Sequence, residues 1–278
     1  MSDRSELAEA YAQMHPIHCI CFGKGYYRVN FPVSDPLFGC AIPCICRKDA
    51  VEKQRAARLI KKSGITSFEF DRWDFNEFIP SDCMFLTEDY EPVLLQIQTI
   101  KTACVRYGQN PKYWLILQGG SGSGKTHLAY AIAKSAIIHN RSVFCHSVIN
   151  LLDLLRSSYN DGTYDLLIKD LCTVDLLVLD DLGAEKETEW AVEKLYQIIN
   201  ERSQKLLPLV ITTNLKIDDP NCRMDFRVLT RLRDGLKSGR EGLVHILNLN
   251  VGDYRPVNRA FHAQKASLLP YGEKSVQA

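Results

Sequence analysis

The residues with the clearest chemistry form a glycine-rich segment near the middle of the chain. Gly119 to Thr126 reads GGSGSGKT and matches the pattern G-x-x-x-x-G-K-[ST] at every fixed position. In such a loop, backbone N–H groups surround phosphate oxygens and the following helix N-terminus adds partial positive charge. The segment therefore predicts a nucleotide-phosphate site. The alternative is a flexible Gly/Ser loop, which does not call for Lys-Thr at a helix start.

The neighbouring sequence and the last two side chains of the loop make this prediction specific. The apolar run YWLILQ precedes the loop and HLAYAIAKSAII, typical of a helix, follows it. We expect Lys125 to reach the β- and γ-phosphates and Thr126 to bind Mg²⁺ through its hydroxyl. ATP and Mg²⁺ are therefore the predicted cofactors. The predicted nucleotide-binding residues of the loop are Gly119, Gly120, Ser121, Gly122, Ser123, Gly124, Lys125 and Thr126.

Two carboxylates follow a second apolar run, DLLVLDD. The carboxyl end of a buried parallel strand opens into the crevice where such sheets bind ligands. Asp180 is predicted to hold Mg²⁺ through water, and Asp181 to act as a base or to orient the attacking water. Taken alone, an Asp-Asp pair after a strand is also compatible with a cap or a turn.

A polar residue also ends the next apolar run, PLVITTN. Asn214 is therefore a candidate sensor that contacts the γ-phosphate or the attacking water. Its alternative is an Asn turn before Asp218, Asp219 and Pro220.

The elements that must position these residues alternate along the chain. From about residue 111, apolar runs recur at 113, 142, 175, 208 and 243, with helical patterns between them. In EWAVEKLYQIINERSQ, one helix face carries Ala191, Leu195, Ile198 and Ile199. Strands separated by crossover helices predict an α/β fold, a parallel sheet flanked by helices. A basic helix is predicted from Asp49 to Lys62, with a break at Ser63-Gly64.

Cysteines cluster near the start of the chain. Five of the ten lie from Cys19 to Cys46. Four of them form two pairs, Cys19-x-Cys21 and Cys44-x-Cys46, which are separated by 22 residues that include the fifth, Cys40. Four thiolates form the set that a tetrahedral structural Zn²⁺ site uses, and the loop between the pairs has too few aliphatic residues for a core of its own. Cys40 and His18 are substitute ligands. Unliganded or redox-active thiols are the alternative. The remaining cysteines read as small buried hydrophobic residues.

Composition narrows the class of protein. A formal charge of +1, 46% hydrophobic and 24% charged residues are typical of a globular chain. They exclude disorder, collagen-like repeats and coiled coil, and the apolar runs fall short of the ~18 residues of a spanning helix. The charged start lacks the apolar stretch of a signal peptide, so we expect a cytoplasmic protein without membrane contact. Near-neutral charge gives no general nucleic-acid signal.

The order of these motifs resembles AAA+ ATPases, specifically the branch of DnaC/DnaI-type replicative helicase loaders and IstB-type transposition ATPases. The resemblance covers about Phe68 to Arg255 and is carried by GGSGSGKTH, LLVLDDLGAEKETEW, INERSQ, PLVITTNL, TRL at 230–232 and DYR at 253–255. It implies a P-loop NTPase fold with His127 beside the nucleotide. The aromatic-Asp segment SFEFDRWDFNEF matches the family's adenine-side segment only in outline, so adenine contacts stay unassigned.

The resemblance also implies residues that act between subunits. Arg231 occupies the place of the family's arginine finger, with Thr230 where the family has Ser. Arg227 and Arg233 are alternatives on the same segment. Arg255 resembles the sensor arginine of the lid. Some helicase loaders of this family carry an N-terminal zinc module that engages the helicase, whereas IstB-type proteins usually lack it.

These expectations combine into one organisation. Residues 1–64 form a zinc-binding, helicase-interacting module, and residues 65–278 form the AAA+ domain, with a core from about 111, lid elements toward 255 and a flexible tail after about 262. The expected function is ATP-dependent loading of a replicative helicase onto single-stranded DNA by a homo-oligomer that hydrolyses ATP. The alternatives are an ATPase helper of a DNA transposase and a zinc-containing nucleotide-switch adaptor with negligible hydrolysis.

Overall fold

The computed structural model describes residues 8, 20–22, 24–78, 90–237 and 244–251. The chain divides into two compact units, Met1–Arg58 and Leu59–Ala278. The division falls within a helix, a few residues before Gly64. Among the described residues, no helix is long and apolar enough to cross a membrane.

The first unit has little regular structure. Strands β1 (Tyr26–Tyr27) and β2 (Ile42–Pro43) pair antiparallel, and helix α1 (Ile45–Ser63) follows. Its described buried apolar cluster is small, Ala8, Leu37 and Ile42, with Tyr27, Val29, Phe31 and Cys40 packed against it. Phe22 is 96% exposed and Val33 is 80% exposed. Apolar burial of this size is too small to stabilise a unit by itself.

The predicted helix break after the basic segment is confirmed. Helix α1 ends at Ser63, whose hydroxyl donates to the Ile60 carbonyl at 2.7 Å and accepts from the Ile65 N–H at 3.1 Å. Gly64 then adopts φ +78°, which a side chain rarely tolerates.

The second unit alternates helices and strands as predicted. Its elements are α2 (Ser67–Arg72), α3 (Tyr90–Gln109), β3 (Trp114–Gly119), α4 (Lys125–Ile138), β4 (Val143–Ser147), α5 (Val148–Asn160), α6 (Tyr164–Leu171), β5 (Leu176–Asp180), α7 (Glu189–Gln204), β6 (Leu209–Thr213), α8 (Phe226–Lys237) and β7 (Val244–Leu249). Each apolar run of the sequence overlaps one strand.

The strands form one parallel sheet in the order β4-β5-β6-β3-β7. Because side chains alternate along a strand, the two faces bury different sets. One face packs with α3 and α4 and includes Leu115, Leu117, Val178 and Val210. The other packs with α5, α7 and α8 and includes Ile116, Leu177, Leu179 and Ile211. A sheet buried on both faces explains why its strands read as continuous apolar runs.

Strand order sets which sequence motifs can meet. Strand β6 lies between β3, which leads into the glycine-rich loop, and β5, which ends in the Asp-Asp pair. The carboxyl ends of all three strands lie at the same edge of the sheet, so their polar residues share one site.

Candidate nucleotide site and cysteine cluster

The glycine-rich loop connects β3 to α4. Gly124 immediately precedes α4 with φ +91°, and the Phe78 ring would lie 2.6 Å from a Cβ at that position. Both the backbone conformation and the space therefore require glycine here. The Lys125 side chain is buried, and its Nζ donates to the carbonyl oxygens of Gly119 at 3.0 Å and Gly120 at 2.6 Å.

Thr126 and Asp180 meet directly. The Thr126 hydroxyl donates to Asp180 Oδ1 at 3.0 Å, and the Thr212 hydroxyl donates to the same oxygen at 2.6 Å. Thr212 accepts in turn from the Asp181 N–H at 2.8 Å. Burial raises the pKa of the Asp180 carboxyl and the Asp181 charge raises it further, against the hydroxyl hydrogen bonds. A hydroxyl beside two adjacent carboxylates is a donor set that fits Mg²⁺, which would offset the repulsion between them.

Backbone geometry explains how the neighbouring turns hold this arrangement. Asp181 adopts φ +56°. The Thr213 hydroxyl donates to the Leu182 carbonyl at 2.7 Å and accepts from the Leu215 N–H at 3.1 Å. These bonds join the turn after β5 to the turn after β6. Asn214 is exposed at the end of β6, at the edge of the sheet that carries Asp180.

Sequence reasoning missed the two threonines. Thr212 and Thr213 are fully buried at the end of β6 and connect the two turns that carry the predicted site residues. Two consecutive hydroxyls ending an apolar strand were the available signal, since buried hydroxyls require partners.

His127 contacts a different part of the chain from the loop residues. Its Nε2 lies 2.7 Å from the Asp74 carbonyl oxygen. The rings of Trp73 and Phe78 lie 5.0 Å and 5.4 Å from the imidazole ring, and Lys134 pairs with Asp74 at 3.0 Å. The aromatic-Asp segment therefore packs against the start of α4. Burial lowers the pKa of His127.

The three arginines of α8 have different surroundings. Arg233 donates to the carbonyl oxygens of Ile217 at 2.7 Å and Asp219 at 2.5 Å. Arg227 has a side chain that is 53% exposed and is paired with Asp225. Arg231 donates to Tyr196 and to Asp234, each at 3.2 Å.

Arg231 lies far from the phosphate loop of its own chain. The cleft that Arg231 borders is also lined by Lys112, Tyr113, Trp114, Ser203, Leu206 and Val244. Trp114 and Val244 begin β3 and β7, so this cleft lies at the amino edge of the sheet. The loop follows the last residue of β3, at the opposite edge, and strands rise roughly 3.3 Å per residue.

The described cysteines separate into two groups. The Sγ atoms of Cys21, Cys44 and Cys46 lie within 4.8 Å of one another, with 3.1 Å between those of Cys21 and Cys46. Cys40 is not in this group and packs beside Leu37 and Ile42. Cys104, Cys145 and Cys172 are buried in the second unit as predicted, whereas Cys222 is only partly buried and Cys83 lies outside the described residues.

The three clustered sulfurs are a donor set that fits Zn²⁺. Burial acts to raise the pKa of the Cys44 thiol, but hydrogen bonds from the backbone of Cys46 and Ile20 and from the neighbouring thiols lower the pKa to about 6. The thiolate is the form that binds metal. Three of the predicted site and ligand residues, Cys19, His18 and Arg255, lie outside the described residues.

Comparison with known families decides the class of the second unit. A family model described as IstB-like ATP binding protein matches residues 92–234, a little more than half of the chain. The chain belongs to this family. The match includes the glycine-rich loop, the Asp-Asp pair, Asn214 and Arg231, so these residues lie within the IstB-like domain.

Two Escherichia coli (strain K12) proteins are similar to this IstB-like chain. One is the uncharacterized protein YdaV, 31% identical over 139 residues, which are 50% of this chain and 53% of YdaV. The other is the replicative helicase loader DnaC, 32% identical over 122 residues, which are 43% of this chain and 50% of DnaC. The chain thus spans about half the length of the curated relatives it matches.

A solved structure supports the fold. Domain III of the Thermotoga maritima replication initiation protein DnaA matches with a TM-score of 0.51 and 18% identity, covering 72% of this chain and 77% of that one. At this identity the likeness concerns the fold alone, a parallel sheet flanked by helices.

Proposed function

We propose that this protein is an ATP-dependent loader that binds a replicative DNA helicase and helps place it on single-stranded DNA. The Thr126–Asp180–Thr212 contact carries the ATPase part, because it joins the phosphate loop to the Asp-Asp pair at the ligand-binding edge of the sheet. Similarity to DnaC supports the helicase-loading part.

Each residue at the carboxyl edge has a proposed role. When bound, Mg²⁺ supplies positive charge beside the β- and γ-phosphates. Lys125 moves from the loop carbonyls to the phosphate oxygens, since an ammonium can exchange one set of acceptors for another. Thr126 and Asp180 hold the ion, Asp181 orients the attacking water and Asn214 contacts the γ-phosphate. His127 fixes the aromatic-Asp segment beside the nucleotide.

Arg231 is proposed to act on the nucleotide of a neighbouring subunit in a homo-oligomer. Its place at the amino edge keeps it from the phosphate loop of its own chain. Arg233 is held by backbone carbonyls, which leaves Arg231 and Arg227 as the α8 arginines that can face another subunit. An arginine supplied from a second chain stabilises charge in phosphoryl transfer. Arg255 is proposed as the lid sensor.

The N-terminal unit is proposed to bind Zn²⁺ and to contact the helicase. Cys21, Cys44 and Cys46 supply three of the ligands, and Cys19 is proposed as the fourth. Support for a contact surface comes from the exposed apolar side chains of Phe22, Val33 and Phe38 in this unit, since apolar surface left exposed to water favours protein association when it is contiguous.

A cluster of aromatic and basic side chains on α5, α6 and α7 is proposed to contact single-stranded DNA. The Tyr159 and Tyr164 rings are stacked, with centroids 4.2 Å apart. Arg156 lies 4.7 Å from the Trp190 ring and Lys194 lies 5.7 Å from the Tyr164 ring. Bases of single-stranded DNA stack on such aromatic groups, and each stacked base contributes ~1–3 kcal/mol to binding. Nearby cations neutralise the phosphate backbone of the DNA.

ATP hydrolysis with and without single-stranded DNA and helicase tests the proposal. We expect hydrolysis that depends on assembly and is lost in Lys125→Ala, together with loss of helicase loading. Lys169→Ala serves as a control, since it removes an exposed lysine of α6 that lies outside the loop. If the assembled protein does not hydrolyse ATP and Lys125→Ala still loads helicase, the protein is a nucleotide-switch adaptor and the ATPase proposal is wrong.

Partner capture separates the loader, which similarity to DnaC supports, from the alternative of a transposase helper. The full chain and Cys44→Ser/Cys46→Ser are incubated with purified helicase or with purified transposase, and bound zinc is assayed in the same samples. We expect helicase to bind the wild type only. Binding to transposase alone would favour the helper. Zinc loss with full helicase binding would contradict the role of the N-terminal unit.

A further inference from the structure

Helix α8 carries three arginines. Among the described contacts, only the guanidinium of Arg231 is held by a side chain from another helix. Its Nη2 donates to the Tyr196 hydroxyl of α7 at 3.2 Å, and its Cζ lies 5.7 Å from the centre of the Tyr196 ring. Arg227 pairs with Asp225, two residues before it, and Arg233 donates to backbone carbonyls. Within the described part of the chain, Tyr196 therefore gives Arg231 a support that Arg227 and Arg233 lack.

The second contact of Arg231 is weaker. Asp234 lies one helical turn away, and the pair has side chains that are 36% and 48% exposed. Exposed ion pairs of this spacing contribute little because solvent screens them. Of the two contacts, the one to the half-buried Tyr196 is therefore the more effective constraint on the guanidinium.

The geometry leaves Arg231 able to reach outward. A guanidinium has five N–H donors, and the contacts to Tyr196 and Asp234 use one on each terminal nitrogen. The remaining donors are available to phosphate oxygens presented at the amino edge of the sheet. An arginine side chain held in advance loses less conformational freedom when it binds, and this favours the reaction step.

We propose that Tyr196 is a positioning residue that holds Arg231 ready to act on the nucleotide of the neighbouring subunit. The inference rests on the proposed role of Arg231 in trans and adds to it the residue that determines its reach. In this proposal Tyr196 acts through Arg231 and has no direct role at the nucleotide or the metal. Its hydroxyl and ring act only through the guanidinium.

Steady-state hydrolysis by the assembled protein tests this first. Tyr196→Phe keeps the ring and removes the hydroxyl, and we expect kcat to fall about tenfold, as for the loss of a hydrogen bond to a charged group, with KM for ATP unchanged. Asp234→Asn is the matched control, because it removes the exposed contact to the same guanidinium, and we expect a change of less than about twofold. An equal loss in Asp234→Asn would overturn the assignment to Tyr196.

Mixed assemblies separate positioning in trans from a structural role. Lys125→Ala subunits have an impaired phosphate site but carry intact Tyr196 and Arg231. As the excess of Lys125→Ala subunits increases, hydrolysis per Tyr196→Phe subunit should rise toward that per wild-type subunit in the same excess of Lys125→Ala, because more of the Tyr196→Phe sites then have a neighbour with intact Tyr196 and Arg231. If the rate stays at the Tyr196→Phe level, Tyr196 acts within its own subunit and the inference is wrong. Thermal unfolding of Tyr196→Phe confirms that the chain is folded.

Arg231→Ala distinguishes the inference from the proposal beneath it. If Arg231→Ala hydrolyses ATP at the wild-type rate, the role of Arg231 in trans is wrong and the inference falls with it. If Arg231→Ala loses activity while Tyr196→Phe keeps it, only the inference fails. Loss in both, with rescue of both by Lys125→Ala subunits, is the expected result.

Discussion

The two units of this chain use cysteine in opposite ways. In the N-terminal unit, Cys44 lies beside two other thiols and its pKa is lowered to about 6. In the second unit, Cys104 lies among apolar side chains, and burial raises its thiol pKa to about 12. One environment favours the thiolate that binds metal and the other favours the neutral thiol that packs.

The difference follows from how each unit can be stabilised. The second unit buries two apolar clusters, one on each face of the sheet. The described cluster of the first unit contains three buried residues. A large apolar core stabilises the fold without chemistry, whereas a small one needs covalent or metal bonds. If the two units are stabilised in these different ways, metal removal should affect the first unit and core truncation should affect the second.

Metal removal should have the largest effect. A strong chelator, or Cys44→Ser, should unfold the N-terminal unit, since structural Zn²⁺ contributes ~10–16 kcal/mol in small metal-dependent folds. The second unit should keep its melting temperature. Hydrogen exchange read by peptide should show rapid exchange in β1 and β2 with continued protection in β3 and β5. Cys40→Ser is the control, because Cys40 lies outside the sulfur cluster. Rapid exchange in β3 as well would contradict separate stabilisation.

Truncating a core side chain should have the next largest effect, confined to the other unit. Leu179 is fully buried on β5, so Leu179→Ala should lower the free energy of unfolding by about 2–5 kcal/mol through lost burial and the cavity left behind. Val33→Ala should change the free energy of unfolding by less than about 0.5 kcal/mol, because the Val33 side chain is 80% exposed. Urea unfolding measures both. A comparable loss at Val33 would mean that its exposed face is buried in solution.

The comparison also shows how far sequence reasoning reaches. Apolar runs predicted the strands of the second unit because each run matches a strand buried on both faces, and helical patterns predicted α4 and α7. The glycine-rich loop and the Asp-Asp pair were predictable from residue type and local order. Thr212, Tyr196 and Asp74 were not, because their roles come from contacts across 31 to 53 residues of chain, which local pattern does not encode.

The N-terminal unit was predictable in chemistry more than in structure. Spacing indicated which cysteines belong together, and Cys21, Cys44 and Cys46 do lie together. The exclusion of Cys40 depends on how the chain folds around Leu37 and Ile42. A unit with few apolar residues gives periodicity little to detect.

Substitution of a buried arginine in the second unit should lower the free energy of unfolding by less than the core truncation does. Arg202 is fully buried on α7 and donates to the carbonyl oxygens of Leu171, Val174 and Pro208 at 2.8, 3.0 and 2.6 Å. Burial lowers its pKa to about 10. Arg202→Lys should cost about 2–3 kcal/mol, since an ammonium cannot reproduce the planar fork and leaves carbonyls without donors. Chemical denaturation measures this loss.

Arg227→Lys is the matched substitution for Arg202→Lys. Its side chain is 53% exposed, so stability should stay within about 0.5 kcal/mol of wild type. If Arg202→Lys is equally mild, the three carbonyls find other donors, and the buried guanidinium is not what joins α7 to the segments before β5 and β6.

The smallest predicted effect is a dependence of the stability of the second unit on pH, through His146. Its ring lies where a Cβ of Gly64 would be, and burial lowers its pKa below 6.5, with the Glu69 charge acting in the opposite direction. The unfolded chain therefore binds the proton more readily than the folded one, so stability is lost as pH falls below about 6.5. Urea unfolding should show lower stability at pH 5.5 than at pH 7.5, and the part that comes from this group is at most about 1.4 kcal/mol, because pH 5.5 is one unit below the ordinary His pKa. His146→Gln should reduce the slope of stability against pH. An unchanged slope in His146→Gln would mean that His146 takes up its proton without opening the contact with Gly64.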